Sequence, residues 1–262
     1  MSSGTDPSAA RIVSVKPLVG LSSLPHLVYP ILPPPLLLTC LTSHSGKQRR
    51  PLAQPSPVSY SLSSHSTQSN NPKIRIEYLT PDGQTRQWEA IHRTTTPKSS
   101  PGGVDSVHII AVRSCSSDPS RKEILLEKQF RPPAGKVCIE FPAGLVDPNE
   151  SIETCALREL REETGYVGEV MGKVGGSMVM FGSPASSAAK TVFIHATIDT
   201  GKPENQTPVA ELEDGEFIEP FWVPLASLHS QIRRLAEEGF AIDSKVGIYA
   251  EGLEMGRSLN GA

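Results

Sequence analysis

The sequence predicts a packed α/β domain of about 190 residues beginning near Lys73. Two patterns carry that expectation. From Lys73 onward, short apolar runs rich in Ile, Val, Leu and Phe are separated by turn residues, as strands of a buried sheet require. Between them lies one long helical pattern with start and stop signals at both ends, Asp147 to Gly165. The bulk figures agree: 262 residues, 37% hydrophobic and 20% charged, allow one well-buried domain or two small ones. They exclude a collagen-like, coiled-coil or wholly disordered chain.

The elements follow in order. Ile74 to Leu79 and Gln87 to His92 flank Thr80-Pro81-Asp82-Gly83, a turn-forming tetrapeptide, so they predict a β-hairpin. Residues 106–112, 123–130, 137–141, 191–197 and 216–223 are further strands. Helices are expected over 148–164, 225–238 and 244–255, the last weakened by Gly247 and Gly252. The domain plan is 1–72 unfolded, 73–105 a hairpin arm and 106–262 the main domain.

Residues 20–72 hold nine prolines and eleven serines among 53 positions, a composition that cannot sustain a helix or strand. No acidic residue occurs between Asp6 and Glu77. Pro17 to Gly46 is free of charge and long enough for a membrane helix, but Pro25, Pro30 and Pro33-Pro34-Pro35 break it, so no membrane span is expected. A targeting segment, for mitochondria among other organelles, and translated non-coding sequence are the two other readings of this stretch.

Lys and Arg number 25 against 28 Asp and Glu, so there is no basic field to hold nucleic acid. Cys40, Cys115, Cys138 and Cys155 are scattered, with no spacing for zinc or a disulfide framework, which suits a reducing, cytoplasmic or nuclear compartment.

The chemistry lies in the central helix. In Asp147-Pro148-Asn149-Glu150 an N-cap acceptor precedes a proline at the first helical position, and Gly165 supplies the end. At about 100° per residue, Ile152, Cys155, Ala156 and Leu160 form an apolar side, while Glu150, Ser151, Thr154, Arg158 and Arg161 form the opposite one. Glu159 and Glu163 fall inside the apolar side, about 40° apart, with Glu162 at its margin. A run such as Arg158 to Glu163 is ordinarily a solvated face laced with ion pairs. Here two stacked carboxylates turned toward a sheet would repel each other and be costly to desolvate unless a cation neutralised them. Their oxygen donors suit Mg²⁺.

Residues 144–166, GLVDPNESIETCALRELREETGY, match the pattern G-x5-E-x7-R-E-U-x-E-E-x-G-U at Gly144, Glu150, Arg158, Glu159, Glu162, Glu163 and Gly165, with Leu160 and Tyr166 at the apolar U positions. The stretch resembles the Nudix box. Glu127-Lys128-Gln129-Phe130-Arg131-Pro132-Pro133, Cys138 to Gly144, Gln87-Trp88-Glu89, Arg93-Thr94-Thr95 and Asp214-Gly215-Glu216 are similar to the ADP-ribose pyrophosphatase branch of that superfamily. The resemblance covers about residues 73–255. It implies an α/β/α Nudix fold with a mixed sheet between helices, a homodimer, and cleavage of ADP-ribose to AMP and ribose 5-phosphate.

It also implies roles. The carbonyl of Ala143, Glu159, Glu163 and Glu216 become metal ligands for Mg²⁺, with Mn²⁺ the alternative; Glu162, Glu163 and Glu216 become the catalytic acids, Glu216 being the matching position for the water-activating group. Arg131 becomes a phosphate clamp, Trp88 the face on which adenine stacks, and Glu89, Arg93 and Leu145 further substrate contacts. Gly144, Glu150, Arg158 and Gly165 orient the cluster. Trp222 is expected in the core, and the seven histidines show no metal spacing. The chain departs from the branch at Asn70, eighteen residues before Trp88, where relatives carry a second aromatic, and over Met180 to Ala185. A diphosphatase for another nucleotide-sugar and a binding module without turnover are the competing functions.

Overall fold

The computed structural model describes residues 11–17, 27–28, 59–60, 71–97, 99–115, 118–172 and 178–260. They fall into two compact units. One comprises residues 1–95 with 183–189, the other residues 96–182 with 190–262.

The first unit is a five-stranded sheet in the order β2-β3-β1-β4-β5: β1 (Arg11–Pro17), β2 (Leu27–Val28), β3 (Ser59–Tyr60), β4 (Lys73–Leu79) and β5 (Thr85–Ile91). The expected hairpin is β4 and β5, antiparallel with Ile76 opposite Trp88; its turn closes through the Gly83 N–H donating to the Thr80 carbonyl at 2.9 Å. Three strands, β1, β2 and β3, fall within residues 1–72, which the sequence reads as unfolded. Arg11–Pro17 forms a strand antiparallel to β4, with Val15 opposite Ile76. Ile12, Val13 and Val15 are β-branched, a local preference that an average over Ser- and Pro-rich surroundings conceals. Most of residues 20–72, Asn70 included, lie outside the described residues.

The second unit is a nine-stranded mixed sheet. Its path runs β10 (Glu169–Val170), β12 (Lys190–Thr197), β6 (Ser106–Cys115), β7 (Asp118–Arg131), β8 (Lys136–Glu140) and β14 (Ala241–Ile242). β9 (Ala143–Leu145), β11 (Met180–Phe181) and β13 (Ile218–Pro224) pair with β6, β12 and β7. β12 runs parallel to β6, and β7 lies antiparallel to β6, β8 and β13.

Helices cover both faces, giving the α/β/α arrangement. On one side α1 (Ile152–Thr164) packs Cys155, Ala156 and Leu160 on Ile109, Leu125, Val192 and Ile194. On the other, α2 (Leu228–Glu237) and α3 (Ser244–Asn260) pack Leu228, Ile232 and Val246 on Ile124, Leu126 and Ile139. Successive side chains of a strand point to opposite faces; Leu125 therefore serves the α1 core and Leu126 the α2/α3 core. Trp222 packs against the α1 core as expected and donates its indole N–H to the Tyr166 hydroxyl at 3.0 Å.

The start of α1 corrects the sequence reading. The helix begins at Ile152, and Ser151, not Asp147, is its N-cap, with the Ser151 hydroxyl accepting from the Thr154 N–H at 3.1 Å. Asn149 takes a left-handed φ of 66°, which no helical residue can hold, so residues 147–150 form a separate turn. Asp147 and Glu150 close that turn reciprocally, through Glu150 N–H to Asp147 O at 3.2 Å and Asp147 N–H to Glu150 Oε2 at 3.1 Å. At the other end Gly165 is the C-cap, at φ 74°.

Candidate active site

The acidic flank of α1 faces the sheet. Glu163 is 5% exposed, and its Oε2 accepts the Ala143 N–H at 2.8 Å, tying the last turn of α1 to the first residue of β9. One turn earlier, the Glu159 carboxylate lies where a Cβ of residue 144 would stand; only glycine leaves that space. Burial raises the pKa of Glu163, the nearby charge of Glu127 raises it further, and the Ala143 N–H opposes both. Burial likewise raises Glu159, against the pull of Arg158.

Arg158 organises the rim. Its Nε and Nη2 grip the two oxygens of Glu150 at 2.9 and 3.0 Å, and its Nη1 reaches Glu159 Oε1 and Glu162 Oε2, both at 2.9 Å. Nη2 also donates to the Leu145 carbonyl at 3.1 Å. Helix spacing sets Arg158 and Glu150 opposite the apolar side, as residues that orient the cluster. Both fold over the cluster, with side chains 28% and 10% exposed, because a long guanidinium stem reaches around the helix. Hydrogen bonds from Arg158 hold Glu150 below the usual carboxylate range, and the carboxylates hold Arg158 more firmly charged than usual.

Arg131, at the end of β7, forms a bidentate pair with Glu140 of β8, Nε to Oε1 at 2.8 Å and Nη2 to Oε2 at 2.9 Å. Its side chain is still 43% exposed. The fork geometry that fits this carboxylate fits a phosphate equally well.

Glu216 sits in a turn closed on Glu213: the Glu216 N–H donates to the Glu213 carbonyl at 3.0 Å and the Glu213 N–H to Glu216 Oε2 at 3.1 Å. Its charge acts on Glu127, Glu159 and Glu163. The segment leading to it is fastened to α1. The Glu211 N–H donates to the Glu162 carbonyl at 2.7 Å, Arg161 pairs with Glu211 at 3.2 Å, and Val209 crosses Gly165 so closely that a side chain there would collide with backbone.

The second unit thus brings together Arg131, Ala143, Gly144, Leu145, Glu150, Arg158, Glu159, Glu162, Glu163 and Glu216. Trp88, Glu89 and Arg93 belong to the first unit. Trp88 is 49% exposed, with its indole N–H donating to the Ala185 carbonyl at 2.7 Å; that bond fixes the ring edge and leaves a face open. Glu89 pairs loosely with Arg75 at 3.6 Å, and Arg93 is half-buried.

Two residues escaped the sequence reading of the site. Glu140 is the partner of Arg131. Glu127 is wholly buried, and neither of its carboxylate oxygens has a hydrogen-bond partner. The available signal was an acid directly after the apolar run Ile124-Leu125-Leu126, two places after Leu125 and so on the same strand face.

The donor set suits a hard divalent cation. Five carboxylates, Glu127, Glu140, Glu159, Glu163 and Glu216, act on one another, and the two guanidinium groups among them are already engaged by Glu140 and by Glu150, Glu159 and Glu162. Among the described residues no three acidic, His or Cys side chains converge to coordination distance. The fit therefore rests on buried, uncompensated acids and oxygen chemistry. Also among the described residues, no helix is long and apolar enough to cross a membrane.

Comparison with known proteins finds a match to the NUDIX domain over residues 107–243. The chain is 46% identical over 182 residues to an uncharacterized Nudix hydrolase of Schizosaccharomyces pombe, covering 70% of this chain and 84% of the relative. It is 42% identical over 186 residues to the ADP-ribose pyrophosphatase of Saccharomyces cerevisiae, covering 71% and 78%. The ADP-sugar pyrophosphatase of Mus musculus is 35% identical over 212 residues, covering 79% and 93%.

Proposed function

This chain belongs to the Nudix family of hydrolases, and on that premise we propose that it cleaves the diphosphate of ADP-ribose, and of related ADP-sugars. With ADP-ribose, one water is consumed and AMP and ribose 5-phosphate are released. The observation that carries the reading is the pair Glu159 and Glu163, half-buried and buried against Gly144 and Ala143, with Arg158 reaching Glu159 and Glu163 bonded to the Ala143 N–H. The relatives named for ADP-ribose and ADP-sugars support the substrate class.

Nudix hydrolases use divalent metal ions, and oxygen-only donors favour Mg²⁺ here, with Mn²⁺ as the alternative. Glu159, Glu163 and the Ala143 carbonyl would hold the ion, with Glu216 completing the set or taking the proton. When bound, the ion supplies Lewis-acid polarisation of the phosphoryl oxygens and charge neutralisation.

The chain's own residues do the rest. Arg158 keeps Glu159 and Glu162 oriented. Arg131 exchanges the Glu140 carboxylate for a substrate phosphate, a trade between two planar acceptors of similar geometry. Glu216 accepts the proton of the attacking water as its oxygen bonds to phosphorus and the bridging P–O bond breaks. In the first unit the open face of Trp88 takes the adenine, with Glu89 and Arg93 as polar contacts; Leu145 is an apolar substrate contact of the second unit. A homodimer in the cytoplasm or nucleus belongs to the same reading, which the two buried free thiols, Cys138 and Cys155, support by suiting a reducing compartment.

The test is a panel of ADP-ribose, other ADP-sugars and non-adenine nucleotide-sugars with Mg²⁺ or Mn²⁺, products resolved by chromatography. AMP release from ADP-ribose should dominate and should fall by at least about 100-fold in Glu163→Gln. Equal turnover across the panel, or an active Glu163→Gln enzyme, would overturn the reading.

A further inference from the structure

Glu127 is a buried titratable group that the mechanism above leaves unused. It lies on β7, in the interior of the nine-stranded sheet, opposite Glu140 of β8 and Pro220 of β13. Strand alternation puts its side chain on the same face as Leu125, beneath α1. Its exposure is 0%, and both carboxylate oxygens are without a hydrogen-bond partner. Gln129, two residues on and facing the same way, also has a buried side-chain oxygen without a partner. An apolar residue would fill this position at far lower cost. An isolated carboxylate in such surroundings is among the most expensive groups a core can hold.

The surroundings explain what it faces. Glu163, Glu159, Glu216 and Glu140 repel its charge, and Arg131 attracts it while engaged in the bidentate pair with Glu140. A site that repels carboxylates from four directions and still keeps a fifth one dry is arranged for positive charge. Mg²⁺ sheds its water reluctantly and is commonly held in part through that water by carboxylates outside its direct ligand set.

We propose that Glu127 is an outer carboxylate of the divalent-cation site, reaching the ion through its hydration water from the sheet side while Glu159 and Glu163 hold it from α1. The inference rests on the reading of the site as a cation site, so the experiment separates the two. Mn²⁺ is titrated into the full-length protein without substrate, and free ion is read by electron paramagnetic resonance for wild type, Glu127→Gln, Glu127→Met and Glu163→Gln. Metal-free melting temperatures are recorded alongside.

Glu127→Gln and Glu127→Met should raise the Mn²⁺ dissociation constant about 10- to 100-fold, with metal-free melting temperatures unchanged or higher. Glu127→Met, similar in volume and uncharged, decides the matter by itself if Glu127→Gln does not fold. Wild-type affinity in the folded Glu127 variants, with Glu163→Gln weakened, would overturn the role of Glu127 alone. Wild-type affinity in Glu163→Gln as well would remove the cation site and this inference together.

Discussion

Gly144→Ala offers the sharpest test of the site geometry, because one methyl group enters the space held by the Glu159 carboxylate. Gly144 is paired with Val107 between β9 and β6, and its φ lies outside the left-handed region, so alanine fits the backbone without strain. The conflict is purely spatial. Carbon atoms settle about 3.5–4.0 Å apart, so the carboxylate must retreat by on the order of 2 Å. The retreating atoms are the end of a flexible side chain, which keeps the stability cost to about 1 kcal/mol. Activity suffers more. A displacement near 1 Å can cost about 100-fold in rate, or about 2.7 kcal/mol of barrier, and the 2.9 Å contact of Glu159 with Arg158 would be lost as well. Steady-state hydrolysis of ADP-ribose should therefore show kcat at least about 100-fold down, with urea denaturation nearly unchanged. A Gly144→Ala enzyme within threefold of wild type would falsify the placement of Glu159 at the reacting centre.

Arg158→Ala leaves Glu150, Glu159 and Glu162 without their shared cation. The partly exposed pairs suggest a loss of about 2–3 kcal/mol in denaturant unfolding, with Arg158→Lys in between; an unchanged midpoint would contradict the hub. The raised pKa values of Glu127 and Glu163 set a pH dependence. An acid raised on folding stabilises fully below its unfolded value, here 4.5, and loses that contribution as pH climbs through the folded value. His108, buried and held down to about 4, works the other way below its ordinary 6.5, so the comparison with Glu163→Gln isolates the carboxylate. Metal-free wild type should lose melting temperature relative to Glu163→Gln as pH rises from 5 to 9, by about 2–4 °C per kcal/mol, and saturating Mn²⁺ should flatten the curve. Parallel curves would refute the raised pKa of Glu163. Trp88→Ala should raise KM for ADP-ribose about tenfold with kcat little changed, the worth of one stacked base; an unaltered KM would remove Trp88 from the substrate site.

Much of this architecture was legible beforehand. The apolar runs located the main strands, and Gly165 located the end of α1 because its φ of 74° suits glycine. The start of α1 was misread because Asp147-Pro148 imitates a helix entry, whereas the turn depends on the left-handed Asn149, a state that sequence spacing does not display. The short strands β9, β10, β11 and β14 have two or three residues each, too few for any period. Within the site, wheel angles placed Glu159 and Glu163 correctly, since a carboxylate close to the helix follows its Cα. They failed for Arg158, whose head lies far from its Cα. Glu127 went unassigned because its place along β7 shows only which face it takes, whereas pairing between strands sets it opposite Glu140.

The bond from the Glu211 amide to the Glu162 carbonyl means that the stretch carrying Glu216 hangs from the same helix that presents Glu159 and Glu163. Distant parts of the chain are thereby held to one ruler, with a strap of four residues between the anchor and Glu216. Natural or engineered insertions should be absorbed at the exposed Gln206 and Thr207, outside that strap. A single added residue between 211 and 216 would lengthen that strap and release Glu216 from its fixed reach to the helix.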